Sequence, residues 1–242
     1  MPSDAPHPNA TPPRGAPIPP RTVVLSGATG NLGPVVAERF AAEGCTLVLP
    51  VYDRADEVRT AFPDAYVLEA DLLDADDAAR VADRARAEVG PVDTVLNVAG
   101  GFAAGSALEL TPKALRAQLD INLVTAATLS TAFLPDLVEA GRGHVVGVSA
   151  GAARGTAKLP AYAASKAALE AYLRSVAAEV GPRGVDVATL VVEGTLDTPA
   201  NREAMPDADR SAWIAPLAVA DGLWFLATRS AGGRVAELRV GA

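Results

Sequence analysis

Thr22-Val23-Val24-Leu25-Ser26-Gly27-Ala28-Thr29-Gly30-Asn31-Leu32-Gly33-Pro34 is the stretch on which the fold turns. Its first five residues are almost all apolar or β-branched on successive positions, as in a strand buried on both faces. Glycines follow at 27, 30 and 33, and from Pro34 helical spacing runs to Glu43. Three residues without Cβ let the backbone turn sharply and approach a ligand, just where a helix N-terminus offers unpaired N–H groups. Strand, glycine loop and helix in that order imply a dinucleotide site in which Gly27, Thr29, Gly30, Asn31, Leu32 and Gly33 meet the pyrophosphate.

Outward from this loop the same alternation continues. Short apolar runs recur at Thr46–Leu49, Tyr66–Glu69, Thr94–Asn97, His144–Ser149, Val185–Val192 and Val235–Val240. Helical spacing fills Asp76–Val89, Pro112–Leu137, Tyr162–Val180 and Val219–Thr228. Strand and helix in alternation predict an α/β fold, a Rossmann-type doubly wound parallel sheet of seven strands in one domain over 21–242. Residues 1–20 hold eight of the nineteen prolines and no apolar periodicity, so they are expected to be a disordered tail. That tail lacks the basic start and apolar stretch of a secretory signal, which makes the cytoplasm the expected location.

Composition narrows the function. The 242 residues are 50% hydrophobic and 21% charged, with no apolar run near the ~20 residues of a membrane span, so no membrane partner is expected. A net charge of -8 disfavours phosphate-neutralising grooves, hence no nucleic acid. One cysteine, Cys45, and two histidines, His7 and His144, supply no ligand set for a structural zinc, and no metal is expected. A small-molecule substrate remains.

The choice between NAD and NADP falls at the end of the second strand, where an acid accepts from the ribose hydroxyl and an arginine holds a 2'-phosphate. Asp53 and Arg54 argue for opposite cofactors, and the preference stays open. Asp71-Leu72, after the third strand, is placed to meet the adenine; the alternative is an ordinary cap or turn aspartate.

Ser149 closes the fifth strand, Tyr162 follows thirteen residues later, and Lys166 lies one helical turn beyond it. Phenol and ammonium therefore share a helix face. A nearby cation favours the phenolate and so lowers a tyrosine pKa otherwise near ~10. The Ser149 hydroxyl, at a strand's carboxyl end, is placed to hydrogen-bond a substrate oxygen.

With these residues the chain resembles the short-chain dehydrogenases/reductases over 22–242. The motifs that carry the likeness are the Gly27 loop, Asn97-Val98-Ala99-Gly100, Asn122, Ser149, and Tyr162 with Lys166. The resemblance implies an NAD- or NADP-dependent oxidoreductase that moves hydride between nicotinamide and the carbonyl or hydroxyl of a small organic substrate. It implies that Tyr162 is the general acid/base and that Ser149 polarises the substrate oxygen. Lys166 would lower the Tyr162 pKa and hold the nicotinamide ribose, and Asn122 would anchor a proton-relaying water. Asn97, Ala99 and Gly100 would lie along the cofactor ribose, with Gly194 and Thr198 at the nicotinamide end. A homodimer or homotetramer is implied as well.

Two positions depart from the family pattern. The middle glycine of the loop stands one place early, with Asn31 where the family has glycine. Glu193 precedes Gly194 where the family commonly has proline, and a carboxylate there must be paired or reach water. Residues 195–209 resemble quinoid dihydropteridine reductase and are expected to form a substrate lid, with a packed surface helix as the alternative. Phe102, Leu159, Met205 and Trp213 are candidate pocket walls. Besides a dihydropteridine-reductase-like enzyme, a cofactor-sensing protein of the same fold is the other reading.

Overall fold

Strands that are apolar on successive residues can be covered on both sides, and seven of them form: β1 (Thr22–Ser26), β2 (Thr46–Val51), β3 (Tyr66–Glu69), β4 (Thr94–Asn97), β5 (Gly143–Ala150), β6 (Val185–Val192) and β7 (Glu237–Val240). The computed structural model describes residues 22–229 and 233–241, and the tail expected over 1–20 lies outside them. All pairings are parallel, in the order β3-β2-β1-β4-β5-β6-β7. The order reverses between β1 and β4, and the crevice at the carboxyl ends of the strands beside that reversal is where such sheets take their ligands.

The helices are α1 (Gly33–Ala42), α2 (Ala55–Ala61), α3 (Ala75–Glu88), α4 (Pro112–Leu119), α5 (Thr125–Ala140), α6 (Pro160–Val180), α7 (Pro199–Ala204) and α8 (Pro216–Ala227). Side chains cap several of them. Asp74 accepts from the Asp76 amide at the start of α3, Thr111 from that of Ala114 at α4, and Thr198 from that of Asn201 at α7.

Side chains alternate across each strand, so each face has its own core. On one, Val23, Leu25 and Leu190 pack with Val36, Phe40, Leu223 and Leu226 of α1 and α8. On the other, Val24, Val95 and Val145 pack with Val81, Leu129, Phe133 and Leu173 of α3, α5 and α6. Each such fully buried Leu or Phe stabilises the fold by roughly 1.5–3 kcal/mol.

Three local expectations need correction. The helix expected over 112–137 is broken by a π-helical turn at Asp120–Val124 and runs on to Ala140, as the Asn122 amide is drawn into the neighbouring loop. The stretch Pro112–Ala140 is also long and apolar enough, by length and composition, to cross a membrane, contrary to the sequence expectation; 39% of its most apolar window is buried against the protein. β7 begins at Glu237 instead of Val235.

Candidate active site

The glycine loop is a cradle because atoms would collide anywhere else. A Cβ on Gly33 would lie 1.9 Å from the Gly27 carbonyl oxygen, and one on Gly27, at φ +87°, would lie 2.7 Å from the Ala99 nitrogen. The Gly30 amide donates to the Gly27 carbonyl at 2.9 Å, closing the turn. Helix α1 follows Leu32 at its N-cap, with no side-chain cap and no acid in its first turn. Its leading N–H groups are thus left to an outside acceptor, and a negative group there meets the positive end of the helix dipole. A dinucleotide pyrophosphate fits this donor set.

At the end of β2, Arg54 takes a left-handed conformation (φ +52°) and donates to the Thr29 carbonyl of the loop. Its Nε lies 3.6 Å from an Asp53 carboxylate oxygen, and both side chains are exposed. After β3, the Asp71 carboxylate accepts from the Leu73 amide at 2.9 Å, and Leu72 is buried in the core. The Asn97 side chain is likewise turned inward, where it donates to Ser130 Oγ at 2.9 Å. Any contact of Asn97 with a cofactor is left to its backbone. Ser26 Oγ accepts from the Val98 and Ala99 amides, so β1 itself holds the loop after β4.

Asn122 is fully buried. Its Oδ1 accepts from the Gly101 amide, and its Nδ2 donates to the Gly101 carbonyl and to Ser165 Oγ, at 3.1, 2.9 and 3.1 Å. Its side chain ties the β4 loop to α6. A Cβ on Gly100 would lie 2.8 Å from Asn122 Oδ1 and 3.3 Å from Lys166 Nζ. The bare backbone at Gly100 is therefore what allows loop, amide and ammonium to converge.

Tyr162 and Lys166 do share one face of α6. The Lys166 ammonium is buried, donates to the Val148 carbonyl at 2.8 Å, and lies 6.0 Å from the centre of the Tyr162 ring. Burial among uncharged groups pulls its pKa down to about 8. Burial also pushes the Tyr162 phenol above its ordinary value. Desolvation opposes charge on both groups, and the ammonium one helical turn away is the cation placed to offset it for the phenolate.

Ser149 lies at the carboxyl end of β5, where its hydroxyl has a partner on α6. Its hydroxyl donates to Glu170 Oε1 at 2.8 Å. A carboxylate can only accept, so the one hydroxyl proton points at α6, and Ser149 must rotate to donate to a substrate oxygen. The sequence reading missed Glu170, although Tyr162, Lys166 and Glu170 recur every four residues and so form a single stripe on the helix.

The Glu193 carboxylate is paired. Arg154, in the 3-10 turn after β5, grips it with two bonds of 2.8 Å, and Arg239 of β7 takes the Oε1 oxygen as well. Those bonds, the Arg154 one foremost, hold its carboxyl at about 2. Gly151 makes room, because a Cβ there would lie 2.3 Å from Glu193 Oε2. No local pattern announces this clamp, which joins residues 39 and 46 positions apart.

Residues 195–209 form a β-bridge from Leu196 to Ile214 and the short helix α7, with Thr198 buried as its cap. A Cβ on Gly194 would touch Ile214. Of the candidate walls, Phe102 stands edge-on to Tyr162 with ring centroids 5.1 Å apart, and Met205 is exposed. Trp213 is instead covered by the Arg210 guanidinium.

Comparison with known proteins gives a consistent result. Residues 21–209 match the family model described as short chain dehydrogenase. A ketoacyl reductase assigned to the granaticin polyketide synthase of Streptomyces violaceoruber is 33% identical over 184 residues, covering 73% of each chain. The 1-deoxy-11-beta-hydroxypentalenate dehydrogenase of Streptomyces exfoliatus is 32% identical over 192 residues, or 74% of this chain and 68% of that one. A structure assigned as an NAD(P)-dependent gluconate 5-dehydrogenase from Beutenbergia cavernae, with bound NADP at low occupancy, superposes with a TM-score of 0.80 at 28% identity, covering 90% of this chain and 94% of that one. These relatives lend no support to the dihydropteridine reductase likeness of 195–209 or to a cofactor-sensing role.

Proposed function

This chain belongs to the short-chain dehydrogenases, and from that premise we propose how its own residues serve the reaction. It is an NAD(P)-dependent oxidoreductase that acts on small-molecule substrates. The bound nicotinamide supplies the hydride chemistry, and the protein supplies orientation, exclusion of water and the proton.

The observation that carries the mechanism is the convergence at one strand end of the buried Lys166 ammonium, the bare Gly100 backbone and the Tyr162 phenol one helical turn away. Tyr162 transfers its phenolic proton to the carbonyl oxygen of the substrate as the carbon gains hydride, and takes it back in the reverse direction. Burial adds to the phenol's ordinary preference for its protonated form, the form that can donate to a carbonyl oxygen. Lys166 stabilises the phenolate left behind, Ser149 swings from Glu170 to the substrate oxygen, and Asn122 holds the loop against α6. Gly27 to Gly33 receive the pyrophosphate, while Ala99, Gly100, Gly194 and Thr198 line the ribose and nicotinamide end.

Two results would test this reading. The first is turnover: a panel of ketones should be reduced with NADPH or NADH, and a panel that leaves the nicotinamide absorbance unchanged would defeat the proposal. Within that assay Arg54→Ala should raise the KM for NADPH about tenfold and that for NADH by less, because the guanidinium is placed for the 2'-phosphate while its bond to the Thr29 carbonyl steadies the loop both cofactors share. The second is pH. Lys166 is cationic below about 8 and neutral above it. Reduction should therefore slow as pH rises through about 8, with the loss read in kcat at saturating cofactor.

We extend the proposal to setting: the cytoplasm, without nucleic-acid or membrane partners, as a homodimer or homotetramer. The half-buried Leu134, Val138, Tyr172 and Val176 on α5 and α6 support a helix-paired interface.

A further inference from the structure

Phe102 is 65% exposed although its ring stands at 72° to that of Tyr162. An edge-to-face partner covers only part of a phenyl ring, and the remaining aromatic surface stays open beside the acid that delivers the proton. Next to this pair lies a hollow of about 180 Å³, with Ala103, Ala104, Ala114, Ala161 and Gln118 among its walls. Ala103 and Ala161, in its lining, are the chain neighbours of Phe102 and Tyr162. The Gly105 amide donates to the Lys158 carbonyl at 2.8 Å, joining the two loops that bound it. Its size matches a single aromatic ring, since a dry cavity of ~150 Å³ holds benzene. Its four alanines share the lining with Ser106, Glu109 and Gln118, of which Glu109 alone is charged.

We propose that the substrate is a ketone fused to an aromatic ring, and that Phe102 selects it by stacking on that ring. This rests on the oxidoreductase reading above and adds the substrate class. Stacking discriminates between flat aromatic rings and saturated rings of the same outline, whereas simple burial does not.

The probes are 1-tetralone and its saturated counterpart 1-decalone, assayed with the full chain and NADPH or NADH. Wild type should favour 1-tetralone in kcat/KM by about tenfold, with the difference in KM. Phe102→Leu keeps an apolar side chain and removes the ring; it should bring the ratio close to one and leave the KM for the cofactor unchanged. Phe102→Trp should restore the preference. A wild-type ratio near one, a ratio that survives in Phe102→Leu, or reduction of 1-decalone alone overturns the proposal. Should no ketone turn over, the oxidoreductase reading fails instead. Calorimetry on Tyr162→Phe then still decides the stacking: 1-tetralone must bind more tightly than 1-decalone, and the added Phe102→Leu change must remove the difference.

Discussion

Tyr162→Phe should lower kcat for carbonyl reduction by about 10²–10⁴-fold while changing the Kd for NAD(P)H by less than about twofold. The substitution removes one oxygen and its proton and keeps the ring that packs edge-on against Phe102. Lys166 keeps its bond to the Val148 carbonyl, and the glycine cradle is untouched. A drop confined to kcat identifies the phenol as the acid. Steady-state rates with fluorescence titration of the cofactor would check both halves, and turnover at the wild-type rate would refute the assignment.

Gly33→Ala should weaken cofactor binding by more than about 100-fold and destabilise the protein by about 1–3 kcal/mol, the usual range for overpacking. The new methyl carbon would meet the Gly27 oxygen at 1.9 Å, the Gly27 carbonyl carbon at 2.5 Å and the Ala28 nitrogen at 2.9 Å. All three are backbone atoms, which cannot rotate aside as a flexible side chain could. Gly27 has no slack either, because it packs against the backbone of Val98 and Ala99. The loop must therefore open, and the N–H groups at the start of α1 lose their common target. Gly44 is the control. Its φ is positive, unlike that of Gly33, and nothing lies within 4 Å of its added Cβ, so Gly44→Ala should lower the melting temperature and leave cofactor affinity intact. An unchanged cofactor Kd in Gly33→Ala would show that the pyrophosphate does not bind this loop.

What the sequence alone settles about this protein is whatever rides on local periodicity and covalent geometry. The apolar runs at 22–26, 66–69, 94–97 and 185–192 coincide with strands, because burial on both sheet faces leaves its mark residue by residue. The glycine spacing locates the cradle and the four-residue step locates Tyr162 and Lys166 on one helix face, for the same reason. α2 escapes notice, since seven residues opened by a left-handed Arg54 carry neither a cap nor two full turns of pattern.

Only the tertiary structure decides what meets across the sheet. It sends the Ser149 proton to Glu170, spends the Asn122 amide on Gly101 and Ser165, turns the Asn97 side chain to Ser130, and closes Arg154 and Arg239 on Glu193. A hydroxyl, an amide or a carboxylate binds whichever complementary group lies within about 3 Å. That neighbour is set by how strands and helices stack, which no window of consecutive residues contains.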